Sequence, residues 1–221
     1  MTQIDSDFIS TFIHELLNAV NGIHSVAQIL EGASKLDKED IEESAADLMA
    51  LSSSANNIIQ KLRAVTNTKR TLASTQRNIY SLVHNVIPRK GQIPSALKIH
   101  LDNSLNEACD TVPKELFNAT LESLLFVLLH EEDDGFIAKQ AIDISYQGTD
   151  NSYLALYISN ASCFKFLSNL SELDNRLVAT SRFGFELKML YYMTQVYGIA
   201  LVCEEDEKQL IVKVYFDISI P

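Results

Sequence analysis

The sequence predicts an α+β chain: a helical hairpin over residues 1–70, then an α/β sandwich over 71–221 with helices on one face of a mixed sheet. Three observations predict it. Apolar residues recur in alternating steps of four and three through two long stretches before residue 66. No Gly or Pro occurs between Gly32 and Pro88. Beyond Thr71, short alternating strand patterns interleave with helix patterns around Pro- and Gly-marked breaks.

In the first stretch the seam is Ile9, Ile13, Leu16, Val20, Ile23, Ala27 and Leu30, a sustained heptad. A second row, Phe8, Phe12, Ala19 and Val26, widens it beyond what one partner helix covers. Asp5, Ser6 and Asp7 offer caps and favourable negative charge at the start, and Gly32 with Ser34 marks the end. After a short link, Asp37 followed by Asp40 reads as a second helix start. Its seam is Ile41, Ala45, Leu48, Leu51, Ala55, Ile58, Leu62 and Val65. Two helices alone leave such wide stripes uncovered. The expected solution is a homodimer, two hairpins forming a four-helix bundle, with packing on the chain's own C-terminal half as the competing explanation.

In the second half, Asn78–Ile87 is amphipathic and helical, and Pro88, Gly91 and Pro94 break it. Leu97–Leu101 alternates as a strand. Pro113 suits the first position of a helix running on to Glu132. Ile142–Tyr146 and Tyr153–Ser159 read as paired strands around the turn Gly148–Ser152. A helix over Phe183–Tyr197 ends at Gly198, and Leu201–Glu204 with Leu210–Phe216 makes a last hairpin.

The chain has 221 residues, 47% hydrophobic, enough to bury a core, and a formal net charge of −11. Neither half is basic, which argues against nucleic acid or an anionic membrane as the main partner. Cys109, Cys163 and Cys203 are far apart with no CxxC pair, as expected of reduced thiols rather than a disulfide framework or zinc site. The opening MTQIDSDF lacks a basic n-region, and no apolar run has the length of a membrane span. The expected location is the cytoplasm.

Candidate chemistry gathers on the first helix. His14, Asn18, Asn21 and Ser25 are spaced by four, three and four, a polar row away from the main seam. Small uncharged groups beside a histidine suit a docking surface better than a merely solvated face; the bland alternative is an unreactive surface histidine. His14-Glu15 cannot begin an HExxH zinc site, because Asn18 stands where the second His belongs. His24 lies off the row, and His84, His100 and His130 share no metal or catalytic spacing. The acidic runs Glu131–Asp134 and Glu204–Glu207 lack alternating ligand spacing and read as solvated loops.

The stretch Phe8-Ile9-Ser10-Thr11-Phe12-Ile13-His14-Glu15-Leu16, with Asn18 and Asn21-Gly22-Ile23 following, resembles the H-box of bacterial sensor histidine kinases. The resemblance implies a dimerising hairpin whose His14 is phosphorylated. Asn18 matches the polar residue four after the histidine; Ala19 replaces the usual proline, so the helix is expected to run straight. The chemistry agrees. A neutral imidazole is a competent nucleophile toward phosphorus, and in-line approach requires exposure. Glu15 is placed to hold or orient the ring, and Asn18 to hydrogen-bond the phosphoryl group, the incoming aspartate or a water.

The order of elements after Thr71 resembles the ATP-binding domain of the same kinases, but its nucleotide residues are missing. The metal-binding Asn falls near Val127, the adenine-binding Asp-x-Gly-x-Gly near Asn160-Ala161-Ser162, and the Gly-rich phosphate lid shrinks to Gly184-Phe185-Glu186. A lone Gly cannot cradle phosphates. A phosphorylatable histidine joined to a kinase-like domain without ATP chemistry resembles the histidine phosphotransferases of the ChpT type. That resemblance implies phosphoryl transfer through His14 between receiver-domain aspartates of a hybrid histidine kinase and of response regulators. No cofactor is expected on this chain, and Mg²⁺ is expected on the partner receiver. The alternatives are a response-regulator-binding module without transfer, a divergent histidine kinase, and a phosphatase using Asn18 to orient water.

Overall fold

The structure, a computed structural model, describes residues 6–32, 37–67, 76–87, 98–131, 135–136, 141–148, 152–159, 167, 184–206 and 209–216. The backbone divides into two compact units, Met1–Asn67 and Thr68–Pro221. The first is a hairpin of α1 (Ser6–Glu31) and α2 (Lys38–Asn67). The Gly32 amide bonds to the Gln28 carbonyl at 3.2 Å where α1 ends. At the start of α2 the Asp40 amide donates to Asp37 Oδ1 at 3.0 Å, and the Asp37 amide donates to Asp40 Oδ2 at 3.3 Å. This reciprocal capping box satisfies two donors that a helix start leaves open. The two helices approach closely at Gly22, where an added Cβ would stand 2.9 Å from Leu51 Cδ2. Asp5, Ser34 and the link between the helices lie outside the described residues.

The expected seam divides in the structure. Phe8, Phe12 and Ala19 are buried, on the same side of α1 as Gly22. Ile9, Leu16, Ile23 and Leu30 are half-buried, while Ile13 and Val20 are 53% and 47% exposed. The second row therefore faces α2, and the heptad row is turned about a quarter of the way round the helix. Apolar periodicity fixes the width of a stripe but not which of its edges the neighbouring helix covers.

The second unit is built on a five-stranded mixed sheet in the order β2 (Lys98–Leu101), β6 (Ala141–Gln147), β7 (Tyr153–Ile158), β9 (Gln209–Tyr215), β8 (Ala200–Asp206). Only the β2–β6 pair is parallel. Ile142, Ile144, Leu154, Leu156, Ile158, Leu210, Val212 and Val214 are buried on one face, as the pleat requires of alternate positions. Among the described residues the helices with defined bounds are α3 (Ile79–Val86), the one-turn α4 (Ser104–Glu107), α5 (Lys114–Leu129) and α6 (Gly184–Tyr197). Helix α5 packs against α3 and α6 and is buried nearly all round, and Phe117 stacks on Phe216 at the end of β9 at 4.8 Å. Asn78 caps α3 by accepting from the Ser81 amide at 2.9 Å. Gly198, at φ 69°, closes α6 in the left-handed conformation that glycine adopts without strain. The Ser104 hydroxyl and amide donate to Asp102 and hold its carboxyl below the usual carboxylate range.

Two local expectations shift. Pro113 precedes α5 instead of opening it, and its carbonyl accepts the Phe117 amide at 2.9 Å. Helix α5 stops at Leu129 rather than Glu132, because β4 (His130–Glu131) pairs with β5 (Gly135–Phe136); an acidic run is also unfavourable at a helix C-terminus. Gly184-Phe185-Glu186 forms the first turn of α6, in keeping with the helix expected over Phe183–Tyr197. The small ladder of β1 (Arg77–Asn78) with β3 (Cys109–Asp110) was not anticipated. Among the described residues no helix is long and apolar enough to cross a membrane.

Candidate functional site

Helix α1 carries the candidate site because its polar row lies opposite the rows it buries. The His14 side chain is 72% exposed. Asn18 Nδ2 lies 3.3 Å from its Nδ1, and Glu15 Oε1 lies 3.7 Å from the same nitrogen. Both neighbours therefore gather at Nδ1, and Nε2 has no partner among the described residues. Glu15 favours a proton on Nδ1. Turning the Asn18 amide over would place its oxygen as a second acceptor there; which amide atom faces the ring follows the ring's tautomer. With Nδ1 protonated, the Nε2 lone pair faces solvent. That is the geometry of an exposed nucleophile with an oriented ring.

Asn21 and Ser25 continue the row and are exposed, as the spacing predicts. Ser25 Oγ donates to the Asn21 carbonyl at 2.9 Å, so its proton stays within the helix and its oxygen alone faces outward as an acceptor. His24 is exposed and lies 3.1 Å from Gln28 Nε2, separate from the Nδ1 cluster. The sequence reading missed the exposed neighbours: Leu17, one turn from His14, is 53% exposed like Ile13. Leu17 lies outside the heptad row, so only burial singles it out.

In the second unit Val127 is fully buried within α5, and Glu186 is buried in the first turn of α6. Asn160, Ala161 and Ser162 lie outside the described residues. No group of three or more His, Cys, Asp or Glu side chains among the described residues is placed to hold a metal ion.

No protein-family model matches the chain, and no curated protein matches it in sequence. Solved structures do match its fold. The Acinetobacter baumannii histidine kinase AdeS superposes with a TM-score of 0.58 at 14% identity, covering 94% of this chain and 98% of that one. A bacterial phosphotransferase superposes with a TM-score of 0.55 at 13% identity, covering 97% and 98%. Full-length ShkA in complex with AMPPNP gives a TM-score of 0.50 at 14% identity, covering 96% of this chain and 45% of that one. The chain thus has a histidine-kinase-like fold: N-terminal helices followed by an α+β domain with a five-stranded sheet like that of the kinases' ATPase domain.

Proposed function

We propose that this chain is a histidine phosphotransferase of the ChpT type, relaying a phosphoryl group between receiver-domain aspartates through His14. The observation that carries the reading is the arrangement at His14. The ring is largely exposed, its Nδ1 is flanked by Glu15 and Asn18, and Nε2 is open, on the first helix of a chain with a histidine-kinase-like fold. The phosphotransferase and the kinase AdeS both superpose over nearly the whole of both chains, so that likeness speaks for the fold alone, and the lack of an Asp-x-Gly-x-Gly pattern in the sequence supports the relay over a kinase. So does the buried Val127 where the family's metal-binding Asn falls.

In the forward step the Nε2 lone pair attacks phosphorus of the aspartyl phosphate. The N–P bond forms, the P–O bond to the aspartate breaks, and the freed carboxylate leaves with the electron pair. The Nδ1 proton stays on the ring, next to the Glu15 carboxylate, which offsets the positive charge developing on the imidazole. The return step reverses these events onto a second receiver. Mg²⁺ belongs to the receivers in this reading, and the unit beyond residue 70 serves as a docking surface and bundle support.

The test is labelling from a phosphorylated receiver domain. Wild-type chain should acquire acid-labile, base-stable label, and His14→Gln should lose it entirely while keeping its fold, since an exposed helix position costs within about 0.5 kcal/mol. Label persisting in that variant would sink the assignment. Label arising from ATP alone would instead mark a kinase, and phosphate release without phosphohistidine would mark a phosphatase.

A further inference from the structure

The cations of the hairpin are few and unequally placed. Helix α1 has no Lys or Arg, and α2 has Lys38, Lys61 and Arg63. The close approach of Gly22 to Leu51 fixes the level and the facing sides of the two helices. His14 lies eight residues before Gly22, two turns and about 80° back. Lys61 lies ten residues after Leu51, about 80° short of three turns. In an antiparallel pair, equal rotations of the same sense reach the same flank. Lys61 therefore stands on the flank of His14, offset by about 3 Å along the helix axis. Arg63 falls about 120° beyond three turns, on the opposite flank, and Lys38 opens the far end of α2. Lys61 is 6% exposed, and Ile58, Ala64 and Val65 are buried on the same stretch of α2. Burying an ammonium carries a desolvation cost that an apolar side chain of the same length avoids, so a lysine at this position needs a cause.

We propose that Lys61 is the cation that offsets the charge of a phosphoryl group held on His14. The inference rests on the relay reading and adds a residue to its site. A phosphoryl group brings a charge of about −1.5 to −2. On His14 that charge stands close to the Glu15 carboxylate, which lies 3.7 Å from Nδ1, in a chain whose net charge is already −11. Lys61 opposes this repulsion from the same flank. It acts without touching the phosphoryl group, because an ammonium withdrawn from water works through a lower effective dielectric and is screened less by salt than an exposed one. Its effect falls on how the phosphoryl group is shared at equilibrium between His14 and the receiver aspartate. Docking of the receiver on the unphosphorylated chain does not draw on it.

The experiment takes the full chain and the receiver domain that labels His14, and measures two quantities: the equilibrium ratio of label on His14 to label on the receiver, and the receiver's Kd for the unphosphorylated chain. Lys61→Met keeps the length of the side chain among its apolar neighbours and removes the charge. It is expected to shift the ratio toward the receiver at least threefold, at about 150 and 600 mM NaCl alike, with Kd within twofold. Lys61→Arg is expected to restore the ratio. Arg63→Gln, which removes the same charge at a similar level on the opposite flank, is expected to leave the ratio within twofold. An unchanged ratio in Lys61→Met overturns this inference alone, as does an equal shift in Arg63→Gln. A Kd that moves as far as the ratio also overturns it, because Lys61 would then be structural. Failure of every receiver to label His14 of the wild-type chain overturns the relay reading and this inference together.

Discussion

At the scale of single residues, the decisive feature is how differently the two nitrogens of His14 are surrounded. Nδ1 has Asn18 at 3.3 Å and Glu15 at 3.7 Å, while the ring is 72% exposed. The exposed His24 has a comparable one-sided contact, its Nε2 lying 3.1 Å from Gln28 Nε2, so what sets His14 apart is the Glu15 carboxylate beside the contacted nitrogen. The cysteines give the contrasting case of a group withdrawn from chemistry. Burial pushes the Cys203 thiol up to about 11, whereas Cys109 is exposed. The thiolate is the reactive form, so alkylation of the native chain at neutral pH should modify Cys109 while Cys203 reacts at least tenfold more slowly. Peptide mass mapping checks this, and urea should abolish the difference; comparable native rates would mean that β8 opens readily. No reaction at His14 draws on either thiol.

Among the elements, α3 depends most visibly on one cap. Asn78 Oδ1 accepts from the Ser81 amide at 2.9 Å, and its Nδ2 donates to the Asn106 carbonyl at 2.9 Å, tying α3 to the end of α4. Asn78→Ala removes both bonds at once. It should destabilise the second unit by about 1–2 kcal/mol, read as a lower midpoint in urea unfolding with an unchanged slope. An unchanged midpoint would show that the cap is replaced by water. Both helices of the hairpin, the Asp37–Asp40 box, α3, α6 and the strands of the main sheet were legible in the sequence because each carries its own period or its own punctuation. The two-residue strands were not. Arg77–Asn78 with Cys109–Asp110, and His130–Glu131 with Gly135–Phe136, are too short for a period of two to show. The end of α5 was misjudged for the same reason: helix periodicity runs on through His130 until a tertiary strand pair captures it. At the candidate site the row of His14, Asn18, Asn21 and Ser25 was legible from spacing alone. The bond between the Ser25 hydroxyl and the Asn21 carbonyl, and the exposure of Leu17, needed coordinates.

For the whole molecule, the hairpin in isolation is unfinished. Its α2-facing rows are buried or half-buried, yet Ile13 and Val20 stand 53% and 47% exposed on a flank turned away from α2. In a four-helix bundle each helix meets two neighbours roughly at right angles, so one row serves α2 and the other is left for a second hairpin. Each such side chain, already half covered, gains about half of the roughly 1.5–3 kcal/mol of full burial, so covering this flank favours association. A carboxylate at Val20 covered by a second hairpin would lack a nearby cation, since Glu15 is the sole charged residue from Phe8 to Leu30 and Leu48–Gln60 has none. Val20→Glu should therefore convert a dimer to a monomer in sedimentation equilibrium at micromolar concentration, while far-ultraviolet circular dichroism keeps its helical signal. A monomeric wild-type chain would leave the apolar flank to another partner, and a Val20→Glu variant that stays dimeric would place the second hairpin elsewhere. The two arrangements differ again in transfer. If dimerisation builds the docking surface, the monomeric variant loses label from the receiver in proportion to its loss of dimer, and the loss reverses at protein concentrations that restore the dimer.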